Sequence, residues 1–276
     1  MAFTIGDIVS NEEIVQEFGV SNQGGMRRSK ANNCLLIVSD HTKALYDDKW
    51  HGTVLHYTGM GRNGDQTLEG NQNKTLYESD TNDVTVHLFE VFESARYTYR
   101  GIVTLAGVPY QEEQLDEEGN MRKVWMFPLQ LTAPLVPISA ETFTALQKQK
   151  QKKAKKLSDK ELLQRARANA ATQPGTQKVT QTIFVRDSAI SEYAKRISNG
   201  ICALCGQPAP FCNKEGEPYL ETHHIVWLSN GGEDSLKNTV ALCPNCHRKM
   251  HIVNDARDIE KLQTVAAKNF SALQKS

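Results

Sequence analysis

The chain has 276 residues, of which 39% are hydrophobic and 23% charged, and its formal net charge is zero. This length is sufficient for one large domain or two ordinary ones. No apolar stretch of about 18 residues is present, which excludes a membrane-spanning helix and a membrane partner, and Met1–Glu13 lacks the features of a secretory signal. The expected location is therefore the cytoplasm.

The zero net charge conceals an uneven distribution. Residues 1–135 carry 11 Lys and Arg against 19 Asp and Glu, residues 136–200 carry 13 against 5, and residues 201–276 carry 8 of each. A solvated helix face and a contact with the DNA backbone explain the basic block about equally well. Six of its lysines crowd into nine residues: Lys148, Lys150, Lys152, Lys153, Lys155 and Lys156.

In chain order, the first predicted element is a short helix around Asn11–Phe18. Residues 33–133 then look β-rich, because apolar or alternating runs recur between turn-forming stretches. The acidic segment Glu112–Asn120 ends in Glu-Gly-Asn and is predicted to be a hairpin loop. The predicted strands, which suggest a curved sheet or barrel, are Cys34–Val38, Thr53–Tyr57, Val84–Val91, Tyr97–Leu105 and Val124–Leu131.

Helices are predicted after the β-rich region. Residues 139–170 contain neither Gly nor Pro and should form one helix, and Thr172–Gln177, which contains Pro-Gly, is the best linker candidate. A further helix is expected around Ser188–Asn199, ended by Gly200. The predicted domains are residues 1–135, a basic helical linker over 136–180, and residues 181–276.

Four of the six cysteines form two Cys-x-x-Cys pairs. In a chain without a secretory signal, this pattern favours metal binding over disulfides. Four thiolates are the ligand set of a tetrahedral structural zinc, which stabilises a fold and takes no part in catalysis. Cys34 is expected in the core, and Cys212 is assigned no role. The predicted zinc ligands are Cys202, Cys205, Cys243 and Cys246.

Four of the eight histidines lie within 29 residues. His247 and His251 are four residues apart on a predicted helix, so their side chains project from one face. His223 and His224 are adjacent on a predicted strand, where neighbouring side chains point to opposite sides. The two members of this pair can therefore have different roles.

The sequence from about 185 to 255 resembles the HNH endonucleases, especially the HNH modules of bacterial modification-dependent restriction enzymes. The resemblance rests on the paired histidines before Ile225, the Gly-rich Asn230–Gly232, Asn238 and the flanking cysteine pairs. It implies a ββα-metal fold, in which a strand bears the general base and a helix bears metal ligands.

The resemblance also implies the role of each histidine. His224 would be the general base, and Asn238 would position the loop that bears it. His223 and His247 would hold one divalent cation such as Mg, Mn, Co or Ni, with His251 as a third ligand. His224 would take a proton from the water that attacks the scissile phosphorus, and the products would carry 5′-phosphate and 3′-hydroxyl ends. Because one HNH site cuts one strand, a double-strand break implies a dimer or two binding events, and a homodimer is expected.

The first part of the chain carries a second resemblance. Tyr46-Asp47-Asp48, His56–Arg62 and Leu68–Asn71 are similar to motifs of the SET- and RING-associated (SRA) domain. That domain is a crescent-shaped β-barrel that flips 5-methylcytosine out of the DNA duplex. The same region contains a basic patch, Arg27-Arg28-Ser-Lys30, beside two glycines.

Base flipping requires an aromatic face to stack the extruded base and an acceptor for its amino group. Tyr46 and Tyr57 could stack, although core packing is an equally good interpretation of Tyr57, and Asp47 or Asp48 could accept. The other predicted contacts with the DNA or the modified base are Thr58, Arg27, Arg28 and Arg62.

The two resemblances together predict an α+β protein: an N-terminal SRA-like curved β-barrel domain, a helical linker and a C-terminal ββα-metal HNH domain with a four-cysteine structural zinc. The implied function is a modification-dependent restriction endonuclease acting on double-stranded DNA that carries 5-methylcytosine or 5-hydroxymethylcytosine. One alternative is an HNH nuclease directed to another mark, such as a phosphorothioate or a glucosylated base. Another is a non-catalytic reader of modified DNA, against which the complete histidine set argues.

Overall fold

The computed structural model of the chain describes residues 3–43, 48–116, 118–168, 175–183 and 186–273. Its contacts divide the chain into two units, Met1–Gln181 and Thr182–Ser276. A nine-stranded sheet dominates the first unit, and the second contains a two-stranded sheet and three helices among its described residues. The predicted α+β class is confirmed. No helix within the described ranges is both long and apolar enough to cross a membrane.

The first unit places most of its strands in one sheet. The sheet order is β2-β3-β6-β7-β9-β5-β4, with β1 paired to β7 and β8 paired to β9. The β3–β6 pair is parallel and the other pairs of this sheet are antiparallel. The strands are β1 (Ile8–Val9), β2 (Met26–Ser29), β3 (Cys34–Asp40), β4 (Lys49–His51), β5 (Val54–Thr58), β6 (Thr85–Glu93), β7 (Arg96–Leu105), β8 (Tyr110–Leu115) and β9 (Met121–Leu131).

Short elements surround this sheet. The strands β10 (Ile138–Ser139) and β11 (Val179–Thr180) form a separate parallel pair. The helices of the first unit are α1 (Asn11–Phe18), α2 (Gln72–Tyr77), α3 (Ala140–Ala154) and α4 (Asp159–Ala168).

The apolar run of β3 is buried on both faces of the sheet. Leu35 and Ile37 belong to one hydrophobic cluster, whereas Leu36 and Val38 belong to a second cluster that includes residues of α1. Neighbouring side chains of a strand point to opposite faces, so a strand covered on both sides must be apolar at every position. Cys34 lies in the second cluster, as the sequence predicted.

The bounds of α1 match the sequence prediction, and its two ends explain why. Ser10 accepts a hydrogen bond from the backbone N–H of Glu13, whose carboxylate accepts one from the backbone N–H of Ser10. This capping box starts the helix. Gly19 ends it in the left-handed conformation, with φ at 59°, which costs glycine little.

Each of the five predicted strands overlaps a strand of the structure, but the predicted hairpin loop over Glu112–Asn120 is wrong in its first half. Glu112 to Leu115 belong to β8, which pairs with β9 and has no second partner strand among the described residues. Glu112 and Glu113 are exposed on this edge strand, where charged side chains are common. The turn itself begins at Asp116, whose carboxylate accepts hydrogen bonds from two backbone N–H groups of the turn.

The single helix predicted over residues 139–170 is also wrong, because the chain forms α3 and α4 in its place. Ser158 and Glu161 form a capping box: the Ser158 hydroxyl accepts from the backbone N–H of Glu161, and the Glu161 carboxylate accepts from the backbone N–H of Ser158. A capping box starts a new helix. Ile138 and Leu146 are buried with Phe92 of β6, so the region predicted as a linker contributes to the core of the first unit.

A buried ion pair crosses from β6 to β7. Glu90 and Arg100 are 0% and 1% exposed, and the Arg100 Nε–H donates to Glu90 at 2.6 Å. The same carboxylate accepts from Trp50 Nε1 and His41 Nε2. Burial alone would raise the pKa of the Glu90 carboxyl. The hydrogen bond from His41 and the charges of His41 and Arg100 outweigh this effect and lower the pKa to about 2.

Replacing Glu90 with alanine is expected to destabilise the chain by about 3–5 kcal/mol, because the Arg100 guanidinium would remain buried without its carboxylate. The free energy of unfolding, measured by urea denaturation, tests this. Glu93→Ala removes a carboxylate from an exposed pair with Arg96 and should change the value by less than about 1 kcal/mol. Equal effects of the two substitutions would contradict the prediction.

The second unit contains a strand–loop–strand–helix arrangement. β12 (Glu221–His224) and β13 (Thr239–Leu242) pair antiparallel, with His223 opposite Val240. The helices are α5 (Ser188–Ser198), α6 (Pro244–Ile252) and α7 (Ala256–Leu273). The sequence placed the end of α5 one residue late, since Asn199 is already left-handed, with φ at 49°.

Candidate metal centres and active site

The four paired cysteines come together in the second unit. One pair follows α5, and the other lies at the start of α6. The four sulfur atoms lie within 4.8 Å of one another, and Cys205 Sγ is 4.0 Å from Cys243 Sγ. Burial alone would raise the pKa of the Cys202 thiol. Hydrogen bonds from the backbone N–H groups of Cys205 and Cys243 outweigh this effect and lower the pKa to about 7. The donor set and its spacing fit a four-thiolate metal site.

The second cluster consists of three histidines, His223 on β12 and His247 and His251 on α6. Their ligand nitrogens lie within 4.8 Å of one another, and the Nε2 atoms of His247 and His251 are 3.0 Å apart. His223 is 2% exposed, and its Nε2 has no hydrogen-bond partner among the described residues. Burial, and then the neighbouring imidazoles, lower the pKa of His223 to about 4. Neutral imidazoles with converging nitrogens fit a divalent cation.

Glu221 orients one of these histidines. Its carboxylate accepts a hydrogen bond from His247 Nδ1 at 2.5 Å, and Nε2 of that ring contacts His251 within the cluster. A carboxylate behind a histidine ligand fixes the tautomer and the direction of the ring. The sequence analysis missed Glu221, although its position two residues before His223 on a strand places both side chains on one face.

His224 lies on the other side of β12 and contacts Asp234. His224 Nε2 is 2.8 Å from Asp234 Oδ1, and the second oxygen of Asp234 accepts from the backbone N–H of Asp187 at 2.6 Å. These two hydrogen bonds lower the pKa of Asp234, so its carboxylate is ionised and can only accept. An acceptor at this position favours the tautomer of His224 that has its hydrogen on Nε2, and in that tautomer Nδ1 has the lone pair. Nothing in the spacing alone identified Asp234.

Asn238 holds the loop that follows His224. Its side-chain amide donates to the carbonyl oxygens of Val226 and Glu233, and its carbonyl oxygen accepts from the backbone N–H of Val226. The loop is closed tightly: a Cβ added to Gly232 would lie 1.9 Å from the Val226 carbonyl oxygen. This position therefore requires glycine.

The histidines open into one cleft of about 260 Å³. It brings together the three clustered histidines and His224, and two further side chains that the sequence analysis missed, Arg186 and Trp227. Arg186 precedes α5 in the sequence, so the spacing of residues within the HNH segment could not identify it as a neighbour of the histidines. The lining residues are Arg186, Thr222, His223, His224, Trp227, Leu228, Ser229, His247 and His251.

In the first unit, Asp48 is the predicted base-pocket residue with the most distinctive surroundings. Its carboxylate accepts from the backbone N–H of Thr58 at 2.7 Å and from the Ser39 hydroxyl at 2.8 Å. Burial raises the pKa of Asp48 to about 6, against the opposing effect of the Thr58 hydrogen bond. Tyr46 and Asp47 lie outside the described residues.

Asp48 predicts a specific pH dependence of stability. Its pKa in the folded chain lies above the usual 3.8, so between about pH 4 and 6 the folded chain binds a proton that the unfolded chain does not. Asp48 therefore lowers stability as the pH rises through this window, by up to about 3 kcal/mol.

The variant Asp48→Asn should lose less stability than wild type between pH 4 and 6, as measured by urea denaturation across that range. Asp80→Asn changes an exposed carboxylate and should follow wild type. Parallel curves for wild type and Asp48→Asn would show that Asp48 does not titrate in this window.

The other predicted contacts of the first unit divide into buried and exposed residues. Tyr57 is 3% exposed in the first hydrophobic cluster, and its hydroxyl donates to the Gly25 carbonyl, which favours the core-packing interpretation. Arg27 is 4% exposed and donates to Asn11 and to the Gly24 carbonyl. Arg28 donates to Cys34 and Asn33. Both arginines thus have partners within the described part of the chain, and Arg62 is exposed.

A family model described as the ScoMcrA-like SRA domain matches residues 5–151, more than half of the chain. The chain belongs to this family. A second model, the HNH endonuclease, matches residues 202–252, which include both metal-ligand clusters. The combination of an SRA domain with an HNH domain, predicted from two resemblances, is confirmed.

The chain is also similar to individual proteins. It is 44% identical over 95 residues to the type IV methyl-directed restriction enzyme EcoKMcrA of Escherichia coli K12, and the match covers 34% of the chain and 33% of that enzyme. The structure of the type IV phosphorothioation-dependent restriction endonuclease ScoMcrA matches with 22% identity and a TM-score of 0.41, over 99% of this chain and 64% of that one. The modification-dependent TagI restriction endonuclease matches with 21% identity and a TM-score of 0.38, over 91% and 78%. The chain thus spans a third of the curated relative's length.

Proposed function

We propose that this chain is a modification-dependent restriction endonuclease that recognises 5-methylcytosine or 5-hydroxymethylcytosine in double-stranded DNA and hydrolyses its phosphodiester bonds. The observation that carries the proposal is the cleft lined both by His224, which is held by Asp234, and by a cluster of three further histidines. A purely structural metal site would need no separate histidine with a free, oriented lone pair.

The two clusters have separate duties in this proposal. The four cysteines bind a structural zinc, and His223, His247 and His251 bind one divalent cation such as Mg, Mn, Co or Ni. A cation held there supplies charge stabilisation to the reacting phosphate and to the departing 3′ oxygen. Glu221 keeps the His247 ring turned toward the shared position.

The chain's own residues move the proton. His224 Nδ1 accepts a proton from the water that attacks the phosphorus, while Nε2 remains hydrogen-bonded to Asp234. The carboxylate of Asp234 stabilises the imidazolium that forms, as well as the ring's orientation. Asn238 holds the loop that carries Asp234 toward His224.

The first unit supplies recognition of the modified base. Asp48, half-buried beside Thr58 and Ser39, is a suitable acceptor for the amino group of a flipped cytosine. Tyr46 and Asp47 retain their proposed places in the pocket by resemblance to the SRA family, whereas Tyr57 packs in the core. The methyl-directed action in the name of the E. coli relative agrees with a modified cytosine. Residues 136–180, including the lysine run of α3, contact the DNA backbone, and a homodimer cuts both strands.

A plasmid panel tests the proposed function. The full chain is incubated with Mg²⁺ or Mn²⁺ and with matched plasmids that are unmodified, 5-methylated or 5-hydroxymethylated at cytosine, or phosphorothioated. Cutting restricted to the two cytosine marks is the expected result. Equal cutting of all plasmids would refute modification dependence. Cutting of only the phosphorothioated plasmid would show that the recognised mark is a phosphorothioate and not a modified cytosine. Binding without cutting under either metal would favour a non-catalytic reader.

A further inference from the structure

The basic segment 136–180 returns to the main sheet on both sides of Asp48. Lys153 of α3 donates from its Nζ to the carbonyl oxygen of Thr42 at 2.7 Å. The backbone N–H of Thr176 donates to the carbonyl oxygen of Trp50 at 2.8 Å. Because Thr42 precedes Asp48 in the chain and Trp50 follows it, these two hydrogen bonds bracket the proposed acceptor for the flipped base.

The contact of Thr176 is made at an edge of the main sheet. The sheet order ends at β4, which has no partner strand beyond it among the described residues, so its outer backbone groups need another partner. The Thr176 hydroxyl also lies 3.3 Å from the Trp50 carbonyl oxygen. A Cβ added to Gly175 would lie 3.2 Å from the Cβ of Lys49. The segment therefore passes close against the strand that directly follows Asp48.

The residue before Thr42 is connected to the same segment by packing. The ring of His41 stacks on Phe92, with the centroids 4.9 Å apart and the planes 14° apart. Phe92 is buried together with Ile138 and Leu146, which lie at the start of the segment and in α3. The chain on this side of Asp48 thus rests on the segment through a ring as well as through Lys153.

The buried ion pair gives the segment a third attachment. The Glu90 carboxylate is hydrogen-bonded to both His41 and Trp50, on the two sides of Asp48. Its partner Arg100 donates from Nη1 to the carbonyl oxygen of Val136 at 2.6 Å. Val136 begins the segment, so its first residue, its middle and its end are all joined to the stretch that carries Asp48.

Lys153 is unusual among these contacts because it is exposed and charged. Burial of Leu146 already holds α3 against the sheet, so the packing of the helix does not require a lysine at position 153. Its contact nevertheless ties the lysine run of α3 to the backbone beside Asp48.

We propose that Lys153 and Thr176 are positioning residues for base recognition, which hold the backbone on both sides of Asp48 so that its carboxylate meets the flipped base in a fixed place. The proposal rests on the proposed function and assigns segment 136–180 a role in reading the base, in addition to connecting the two units. Holding an acceptor in place before the ligand arrives favours the ligand that fits it.

The ratio of two affinities measures this positioning. Full-length protein carrying His224→Ala, without added divalent metal, is titrated into two labelled duplexes of one sequence, with 5-methylcytosine and with cytosine, and anisotropy is followed. Lys153→Met is compared with Lys152→Met, which removes the same charge from an exposed neighbour on α3. Lys153→Arg keeps both the charge and a donor.

We expect Lys153→Met to reduce the preference for the methylated duplex roughly five- to tenfold, as for the loss of one hydrogen bond from a charged donor. Lys152→Met should weaken binding of both duplexes by one factor and keep the ratio, because contacts with phosphates carry no information about the base. Lys153→Arg should restore the ratio. Equal melting temperatures of the two methionine variants would exclude a general loss of stability.

The other side of Asp48 is tested by Thr176→Pro, which removes the backbone N–H and the hydroxyl that contact Trp50. This variant should lower the ratio by a similar factor, whereas Thr176→Ser keeps both donors and should match the parent. If Thr176→Pro does not fold, the Lys153 series decides.

Three outcomes would overturn the proposal. If the parent prefers the methylated duplex and Lys153→Met keeps that preference, the positioning role is wrong and the proposed function stands. An equal loss of preference in Lys152→Met and Lys153→Met would assign the effect to charge alone. If the parent binds both duplexes equally and cuts the plasmid panel without regard to modification, the proposed function fails and the positioning role fails with it.

Discussion

Replacing His224 with alanine is expected to reduce DNA cleavage by roughly 10²–10⁴-fold, the usual contribution of a general base. The reason is the loss of the Nδ1 lone pair, which no other side chain on that side of β12 replaces among the described residues. Single-turnover cleavage of a modified plasmid measures the loss. Zinc content and duplex binding should be retained, because His224 belongs to neither ligand cluster.

Asp234→Asn tests the contribution of the carboxylate that orients His224, while His224 itself is kept. An amide can still accept from the backbone N–H of Asp187, but it stabilises an imidazolium less well than a carboxylate, so cleavage should fall by about 10–100-fold. Glu233→Gln is the matched control, since the neighbouring Glu233 side chain is exposed. Wild-type cleavage by His224→Ala, or equal effects of Asp234→Asn and Glu233→Gln, would contradict the assignment.

Replacing Cys243 with serine is expected to abolish zinc binding and to unfold the second unit. The four cysteines connect the segment after α5 with the start of α6, and structural zinc sites of this kind contribute on the order of 10 kcal/mol to folding. Zinc per chain, measured by atomic emission, should fall to near zero. Circular dichroism should show loss of the helical signal of this unit.

Cys212→Ser is the control for this substitution. Cys212 is exposed and outside the four-cysteine cluster, so zinc content and melting should match wild type. A Cys243→Ser variant that keeps a full complement of zinc would refute the site. The same zinc loss from both variants would show that the metal is bound elsewhere.

The features that were predictable from the sequence are those set by local spacing. The apolar or alternating runs of β3, β5, β6, β7 and β9 reflect burial on one or both faces of a sheet, which any sequence with that pattern must satisfy. The cysteine pairs and the i, i+4 histidines lie close in sequence to their partners. The clustering of the histidines follows from one strand and one helix, β12 and α6, whereas the two cysteine pairs meet when the segment after α5 packs at the start of α6.

Most of what escaped prediction depends on contacts between distant segments. Glu221 and Asp234 are ordinary acidic residues in the sequence and acquire their roles only when β12 meets α6 and the loop closed by Asn238. Arg27 lies in a basic patch but is bound by Asn11 and a backbone carbonyl. The break between α3 and α4 required recognition of a local capping box at Ser158 that the helix-favouring composition concealed.

The helix α6 carries ligands of both clusters: Cys246, just after Cys243 at its start, and His247 and His251 further along. Inactivation by chelators should consequently occur in two stages. A weak chelator would withdraw the exchangeable cation and leave a recoverable enzyme, because the helix stays in place. A chelator strong enough to remove zinc would release the helix that positions two of the three histidines, and adding back Mg²⁺ or Mn²⁺ alone would then restore nothing.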